Sequence, residues 1–168
     1  VLFDSLGRVG SPVIFRAKLS TVSLLCISGN NQEAMPDPAD AVIEPQTNLS
    51  FVPLPKIVAV KVISNNSPVS NAVVLFRAAN GRVGAIGDDK LNYEISVDVD
   101  RSGLARCNWY LSIALEGGHY SVYQELEARI VRYCGLNSET SAPIRFTARL
   151  NAANEIAFNP AACPKIDA

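Results

Sequence analysis

The sequence has few charged residues and no excess of either sign. Charged side chains make up 18% of the 168 residues, below the roughly one quarter that is usual in soluble domains. The 15 lysines and arginines nearly balance the 16 aspartates and glutamates. Proteins that bind nucleic acids carry a basic excess that neutralises phosphates, so we expect no nucleic-acid partner.

Long apolar runs are also missing. A membrane-spanning helix needs about 18 consecutive apolar residues, and no stretch of the sequence approaches that length, so we expect no membrane span. The first residues, Val1 to Asp4, include neither a starting methionine nor the basic flank of a signal peptide. We therefore expect the chain to be a processed or excerpted piece of a longer protein.

Metal-ligating residues are sparse. The sequence has one histidine, His119, and no two cysteines separated by two residues. A structural zinc site needs about four clustered nitrogen or sulfur ligands, so we expect no zinc and no other cofactor. The four cysteines, Cys26, Cys107, Cys134 and Cys163, are candidates for disulfides of undetermined pairing in an oxidising compartment. Small buried apolar side chains are the alternative.

No catalytic arrangement is recognisable in the sequence. His119 follows two glycines, which is typical of an exposed loop. A Ser-His-Asp mechanism needs a nucleophile beside the histidine, and the sequence has no Gly-x-Ser-x-Gly stretch that would mark one. We therefore expect a protein that is not an enzyme.

One acidic stretch begins like a calcium-binding loop. Counting from Asp98, the twelfth position needs a bidentate glutamate, but Trp109 occupies it. A looser loop site with Asp88 or Asp89 is one alternative. The other is ordinary turn chemistry, in which aspartate accepts backbone N–H bonds.

Apolar and polar side chains alternate along much of the chain, which is the period of a β-strand. Clusters of Asn, Gly, Ser and Pro separate the alternating segments, and Asn80-Gly81 is a strong turn signal. Short strands divided in this way are typical of a β-sandwich. The segments predicted as strands are 57–62, 72–77, 93–99, 104–111, 124–133 (with a helix as the alternative) and 144–150.

The segment from 30 to 55 differs from the rest, because it has few periodic apolar residues and many prolines. Proline removes the donors that a sheet needs, so we expect a long irregular connection or a sheet edge here. The prolines are Pro36, Pro38, Pro45, Pro53 and Pro55.

An internal repeat links the two ends of the chain. Residues 11–20 match residues 142–151 at an offset of 131, with Pro, Phe, Ala and Leu identical at four positions. The chain thus opens as if with the last hairpin of one module and continues through a complete second one. Unpaired strand edges recruit partners, so this opening is a candidate for strand exchange, with an extra edge strand on its own domain as the alternative. The candidate residues are Pro12, Val13, Phe15, Ala17 and Leu19.

The order of motifs from about Leu24 to Leu150 resembles the bacterial immunoglobulin-like repeats of the intimin/invasin type, also described as Big_1-like. The resemblance rests on Ser28-Gly29-Asn30-Asn31-Gln32, Pro53-Leu54, the strand 57–62, Ser67-Pro68-Val69, Ala72-Val73-Val74-Leu75-Phe76, Asp100-Arg101-Ser102-Gly103-Leu104-Ala105 and Gln124-Glu125-Leu126-Glu127-Ala128. The stretch between Gln32 and Pro53 is longer than the family usually allows. The pair Cys107-x-Trp109 is not a family hallmark.

We therefore expect an all-β chain with an immunoglobulin-like β-sandwich. Its expected parts are the hairpin 1–20, a Pro-rich connection with the first strand at 21–52, the sandwich at 53–151, and a tail at 152–168. Cys107 and Trp109 share one face of their strand, so Trp109 is expected in the core, and stacking on a sugar is the alternative role for it.

The resemblance implies a structural or adhesive module of a bacterial extracellular, cell-surface or particle assembly. Its expected partners are proteins, either copies of itself or neighbouring immunoglobulin-like modules. A filament subunit that polymerises through its N-terminal strand is the first alternative, and a carbohydrate-binding module is the second.

Overall fold

A computed structural model describes residues 21–37, 39–113, 121–134, 136–137 and 141–151. These residues form strands joined by turns and loops, without a helix. The expected all-β class is therefore confirmed for this part of the chain. The strands are β1 (Val22–Ser28), β2 (Gln32–Ala34), β3 (Val42–Ile43), β4 (Ser50–Pro53), β5 (Val58–Ser64), β6 (Ser67–Pro68), β7 (Ala72–Ala78), β8 (Arg82–Gly84), β9 (Glu94–Asp98), β10 (Leu104–Ser112), β11 (Tyr123–Tyr133), β12 (Leu136–Asn137) and β13 (Ile144–Leu150).

The strands form two sheets packed face to face. The first sheet has the order β1-β5-β10-β4-β3, with β6 paired to β5 and β8 paired to β10. The second has the order β2-β13-β11-β7-β9, with β12 paired to β11. Their strand pairs are antiparallel except for β2 and β13, which run parallel. This is the architecture of a β-sandwich.

The core lies between the sheets and follows from the period-two pattern. On β10, for example, Ala105, Cys107, Trp109 and Leu111 are buried, while the residues between them are half-buried or exposed. Side chains alternate between the two faces of a strand, so one face of each sheet is apolar and packs against the other. The largest fully buried apolar side chains are Trp109, Phe51, Phe76, Phe146, Leu111, Leu126, Ile130 and Leu150.

The sequence-based strand predictions each correspond to an observed strand. The ambiguous segment 124–133 lies within β11, so its alternative as a helix is wrong. The chain bends at Asn80-Gly81 but does not form a hairpin there, because β7 belongs to the second sheet and β8 to the first. The chain crosses between the sheets so tightly there that a Cβ on Gly81 would lie 2.2 Å from the carbonyl oxygen of Tyr110.

The Pro-rich segment is built into the sandwich through short strands. β2 pairs with β13, and β3 pairs with β4, which also pairs with β10. β3 forms one edge of the first sheet and β2 one edge of the second. The edge interpretation of this segment therefore agrees with the structure, and β4 (Ser50–Pro53) lies across the expected boundary at residue 53.

The described chain enters and leaves the sandwich at opposite ends. Val22 pairs with the last residue of β5, whereas the side chain of Gln32 bonds to Lys56, just before β5 begins. At the exit, the backbone N–H of Asn151 donates to the carbonyl of Ala34. At about 3.3 Å per residue, the path from entry to exit covers up to about 40 Å.

Several expectations concern residues outside the described ranges. They are the N-terminal hairpin 1–20 with its candidate exchange strand, the histidine His119, Cys163, and the tail 152–168. Within the described ranges, the structure has no helix of the length and apolar character that crossing a membrane requires.

Candidate functional site

The structure separates the cysteines that the sequence offered as disulfide partners. Cys26 and Cys134 are exposed and Cys107 is buried, and all three are free thiols. No disulfide therefore joins any two of these three cysteines, and Cys107 fits the alternative of a small buried apolar side chain. A pairing that involves Cys163 falls outside the described residues. Burial raises the pKa of the Cys107 thiol well above its ordinary value, so it remains protonated and unreactive.

Trp109 lies in the core, with 1% of its surface exposed. A sugar cannot stack on a ring in that position. Trp109 therefore cannot serve as the stacking platform of a carbohydrate site. Two tyrosines among the described residues are exposed. The guanidinium of Arg82 lies 3.6 Å from the ring centroid of Tyr93, which is 60% exposed, and that of Arg149 lies 6.0 Å from the ring of Tyr123, which is 67% exposed.

Two buried glutamine side chains connect the sheets by hydrogen bonds to backbone N–H and carbonyl groups. The Gln32 side chain donates to the carbonyls of Gly29 and Lys56 and accepts from the Lys56 N–H. The Gln124 side chain exchanges two hydrogen bonds with the backbone of Ser112, at 2.9 and 2.7 Å. Both glutamines belong to motifs of the family resemblance, and in this structure both hold one sheet to the other.

The first of these motifs also needs its glycine and asparagines. Gly29 has a φ of 93° and packs so closely that a Cβ would lie 2.6 Å from the Cα of Val58. The Asn30 side chain accepts from the backbone N–H of Thr147, and the Asn31 N–H donates to the Thr147 carbonyl. These contacts fix the point where the chain passes from the first sheet to the second.

Asp100 closes the turn before β10. Its carboxylate accepts N–H bonds from Leu104 and Ser102 and pairs with Arg106 at 3.0 Å. The bond from Leu104 is the main cause that holds the pKa of Asp100 below its ordinary value. No cluster of three or more His, Cys, Asp or Glu suited to a metal ion occurs among the described residues.

The most polar buried group is an ion pair between Arg82 on β8 and Glu44 in the Pro-rich segment. The two side chains are only 3% and 8% exposed and form two hydrogen bonds, of 2.8 and 3.0 Å. Thr47 donates a further hydrogen bond to Glu44, and Arg82 also donates to the Gly81 carbonyl. A bidentate pair of this kind satisfies the buried charges.

Two aromatic rings enclose the Arg82 guanidinium. Its central carbon lies 4.7 Å from the ring centroid of Phe51 and 3.6 Å from that of Tyr93. Phe51 is on the outer face of the first sheet, opposite Ser112, and yet it is fully buried. The Pro-rich segment therefore covers this part of the outer face and is held there by the ion pair.

We expect this ion pair to make the free energy of unfolding depend on pH in the acidic range. The hydrogen bonds from Arg82 and Thr47 hold the pKa of Glu44 below its ordinary value of 4.5. A carboxyl with a lowered folded-state pKa stabilises the fold above its unfolded pKa, and loses that contribution as the pH falls through the folded one. Urea unfolding between pH 7 and about pH 3 should therefore show a smaller loss of stability for Glu44→Gln than for the wild type. Equal losses would contradict this role for Glu44.

The outer face of the second sheet carries a row of alternating charges. Arg145 lies opposite Glu127, Glu127 opposite Arg77, and Arg77 opposite Glu94. The ion pairs at the two ends of the row measure 4.0 and 3.7 Å. Together with Glu125 they line an open groove of about 740 Å³, whose mixed charges favour water over a ligand of one sign.

Sequence reasoning missed the Arg82–Glu44 pair. The two residues are 38 positions apart, and neither belongs to a recognisable motif, so only the folded topology brings them together. A scan of the chain against protein-family models gave no match, and a search of curated proteins found no significant relative.

Proposed function

We propose that this chain is an immunoglobulin-like module with a structural or adhesive role in a series of similar modules. The order of its strand pairs supports the fold part of this proposal. Immunoglobulin domains place their first, second and fifth strands in one sheet, and their third, sixth and seventh in the other. Here β1, β5 and β10 lie side by side in the first sheet, like the first, second and fifth strands. β7, β11 and β13 lie side by side in the second sheet, like the third, sixth and seventh.

The chain adds one strand to that pattern. In immunoglobulin domains a strand from the middle of the chain lies beside the fifth strand. Here β8, from the middle of the chain, pairs with β10, and β4, from the Pro-rich segment, is an additional partner of β10. The long segment that is unusual for the intimin/invasin type thus supplies a strand of the sandwich and the Glu44 contact.

The main support for the modular role is the burial of the positions that are identical in the repeat. In β13, Phe146, Ala148 and Leu150 are buried in the core, with 0%, 3% and 2% exposure. Three of the four identical positions of the repeat, Phe15, Ala17 and Leu19, correspond to these core residues, and the fourth, Pro12, corresponds to the exposed Pro143. The positions between them, which face outward in β13, differ. Selection for a shared core position explains this pattern, so residues 12–19 correspond to the last strand of another module.

The positions of entry and exit support the same role. Because the described chain enters beside the end of β5 and leaves at the opposite end of the sandwich, successive modules would follow one another along a line. A linear series of sandwiches suits an extended structure that spans distance or presents an adhesive tip. Following the resemblance, we place such a structure outside a bacterial cell or on a particle, with neighbouring modules as its partners.

The modular role is testable with a matched pair of substitutions. Phe146→Asp should abolish cooperative thermal unfolding, because it puts a charge into the core. Phe15→Asp, at the equivalent repeat position, should leave the melting temperature of the full chain unchanged. The measurement is thermal unfolding by circular dichroism. A clear drop in melting temperature for monomeric Phe15→Asp would show that residues 12–19 belong to their own sandwich, and the proposal would fail.

Strand exchange is the second candidate, and the position of β13 favours it. β13 pairs with β11 on one side and only with the three-residue β2 on the other, so a strand like it is exchangeable at modest cost. Light scattering on the size-exclusion-purified chain should then detect polymers that disappear when residues 1–20 are removed. Monomers in both samples would reject this candidate and leave the modular role.

A further inference from the structure

The charges on the outer face of the second sheet alternate in sign from strand to strand. Directly paired positions on β13, β11, β7 and β9 hold Arg145, Glu127, Arg77 and Glu94, so the four side chains point to the same side of the sheet. The residues on either side of Glu127 and Arg77 are buried in the core, which places the charges on the outer face. We call these four residues the charge row. With strands about 4.8 Å apart, it is about 14 Å long.

The ion pairs within the charge row are loose. Arg145 and Glu127 are 4.0 Å apart, and Arg77 and Glu94 are 3.7 Å apart, whereas the buried ion pair on β8 is hydrogen-bonded at 2.8 Å. The side chains of Arg145, Arg77 and Glu94 are also more than half exposed. A guanidinium has five N–H donors and a carboxylate about four acceptor sites, so each group can take a further ionic partner.

The charge row is complementary to itself in one orientation. From β13 to β9 its signs are plus, minus, plus, minus, and in the reverse direction they are minus, plus, minus, plus. A second copy that meets this face after a half-turn about an axis parallel to the strands presents the reversed order, so every charge faces one of opposite sign. A half-turn about an axis along the row instead places each charge opposite its own copy, which like-charge repulsion opposes.

We propose that the outer face of the second sheet binds a second copy of this chain, about a twofold axis that is parallel to the strands and lies between β11 and β7. In this isologous contact, Arg145 pairs with Glu94 of the other copy and Glu127 pairs with Arg77 of the other copy, each twice. Stacked sheets lie about 10 Å apart, a distance that an arginine and a glutamate side chain bridge together.

The neighbouring positions on this face admit the contact. In the same orientation, Glu125 faces Ala79 of the other copy and Arg129 faces Leu75, so neither charge meets one of its own sign. The open groove beside the charge row has a volume of about 740 Å³, which gives the long side chains room to enter. Rotation about an axis parallel to the strands preserves their direction, so the two sandwiches lie side by side with their entry ends together. This lateral contact is separate from the end-to-end succession of the proposed modules and does not depend on it.

The test is light scattering on the full chain over about 10 μM to 1 mM, a range suited to a weak interface. The wild type should form a reversible dimer at an ionic strength of about 10 mM, where the Debye length is about 30 Å. At about 1 M salt the Debye length is about 3 Å, and the dimer should weaken by about tenfold or more.

Charge reversal at the two ends of the charge row tests the orientation. Arg145→Glu and Glu94→Arg each place like charges face to face in the contact, so each variant alone should dimerise about tenfold more weakly than the wild type. An equimolar mixture of the two variants should form dimers again, because both end contacts of the mixed dimer then join a glutamate to an arginine. A role of these residues within one chain alone does not predict that recovery.

The matched control is Arg106→Glu on β10, in the first sheet. Arg106 also belongs to an exposed ion pair, with Asp100, and its reversal changes the net charge as much as Arg145→Glu does. This variant should dimerise like the wild type, and mixing it with Glu94→Arg should leave the latter monomeric.

Four results would overturn the proposal. They are a wild type that is monomeric at every concentration, a dimer that Arg145→Glu leaves intact, equal weakening by Arg106→Glu, and a mixture of Arg145→Glu and Glu94→Arg that stays monomeric. Thermal unfolding of each variant verifies that it folds. Polymers built by strand exchange through residues 1–20 do not depend on the charge row, so the failure of one proposal is distinguishable from the failure of the other.

Discussion

Replacing Glu44 by alanine should lower the free energy of unfolding by about 3 to 5 kcal/mol, because it leaves the Arg82 charge buried without its partner. Arg82 is 3% exposed at its side chain and makes both of its 2.8 and 3.0 Å carboxylate bonds to this one residue. The loss also frees the segment that covers Phe51. Urea unfolding at neutral pH, followed by tryptophan fluorescence and circular dichroism, measures the change.

Two controls separate the buried pair from ordinary surface charge. Glu94→Ala breaks an ion pair with Arg77 whose side chains are 64% and 53% exposed, and should cost about 0 to 1 kcal/mol. The double variant Glu44→Met/Arg82→Met removes both charges and should recover most of the stability that Glu44→Ala loses. If Glu44→Ala costs no more than Glu94→Ala, the pair does not hold the Pro-rich segment in place.

The strands of the sandwich were predictable because the alternation of apolar and polar residues that indicates each strand lies within that strand's own sequence. The alternation along 104–111, for example, places Cys107 and Trp109 on one face, and β10 buries both. The same reasoning resolves β11, where buried Leu126, Ala128 and Ile130 recur at every second residue. In both strands a period of two is sufficient, since one face meets the core and the other meets solvent.

At Asn80-Gly81 the local sequence predicts the change of chain direction but not the sheet to which the next strand belongs. The dipeptide predicts a tight turn, and the chain bends there. The dipeptide does not reveal that the next strand belongs to the other sheet, because that depends on which partner β8 finds. Its partner is β10, and this pairing brings Arg82 to Glu44. The central contact of the candidate site is therefore a consequence of topology.

For the Pro-rich segment, the sequence predicts the local structure but not the packing. Its prolines correctly indicate an absence of long strands, and β2, β3 and β4 are all short. Composition alone, however, gives no sign that Phe51 would be fully buried on the outer face of a sheet. That burial arises because the segment folds back over the face and supplies Glu44 to Arg82. A segment that the sequence predicts as an irregular connection is thus part of the packed structure.

Replacing Trp109 by alanine should lower the free energy of unfolding by about 3 to 5 kcal/mol, through lost burial and the cavity left behind. Trp109 is the largest fully buried side chain, and its Nε1 has no hydrogen-bond partner among the described residues. Trp109→Phe removes that unpaired N–H and leaves a smaller cavity, so it should cost only about 1 to 2 kcal/mol. Urea unfolding monitored by circular dichroism compares the two variants. Equal costs would mean that the indole N–H, and not the volume of the ring, is what the core requires at this position.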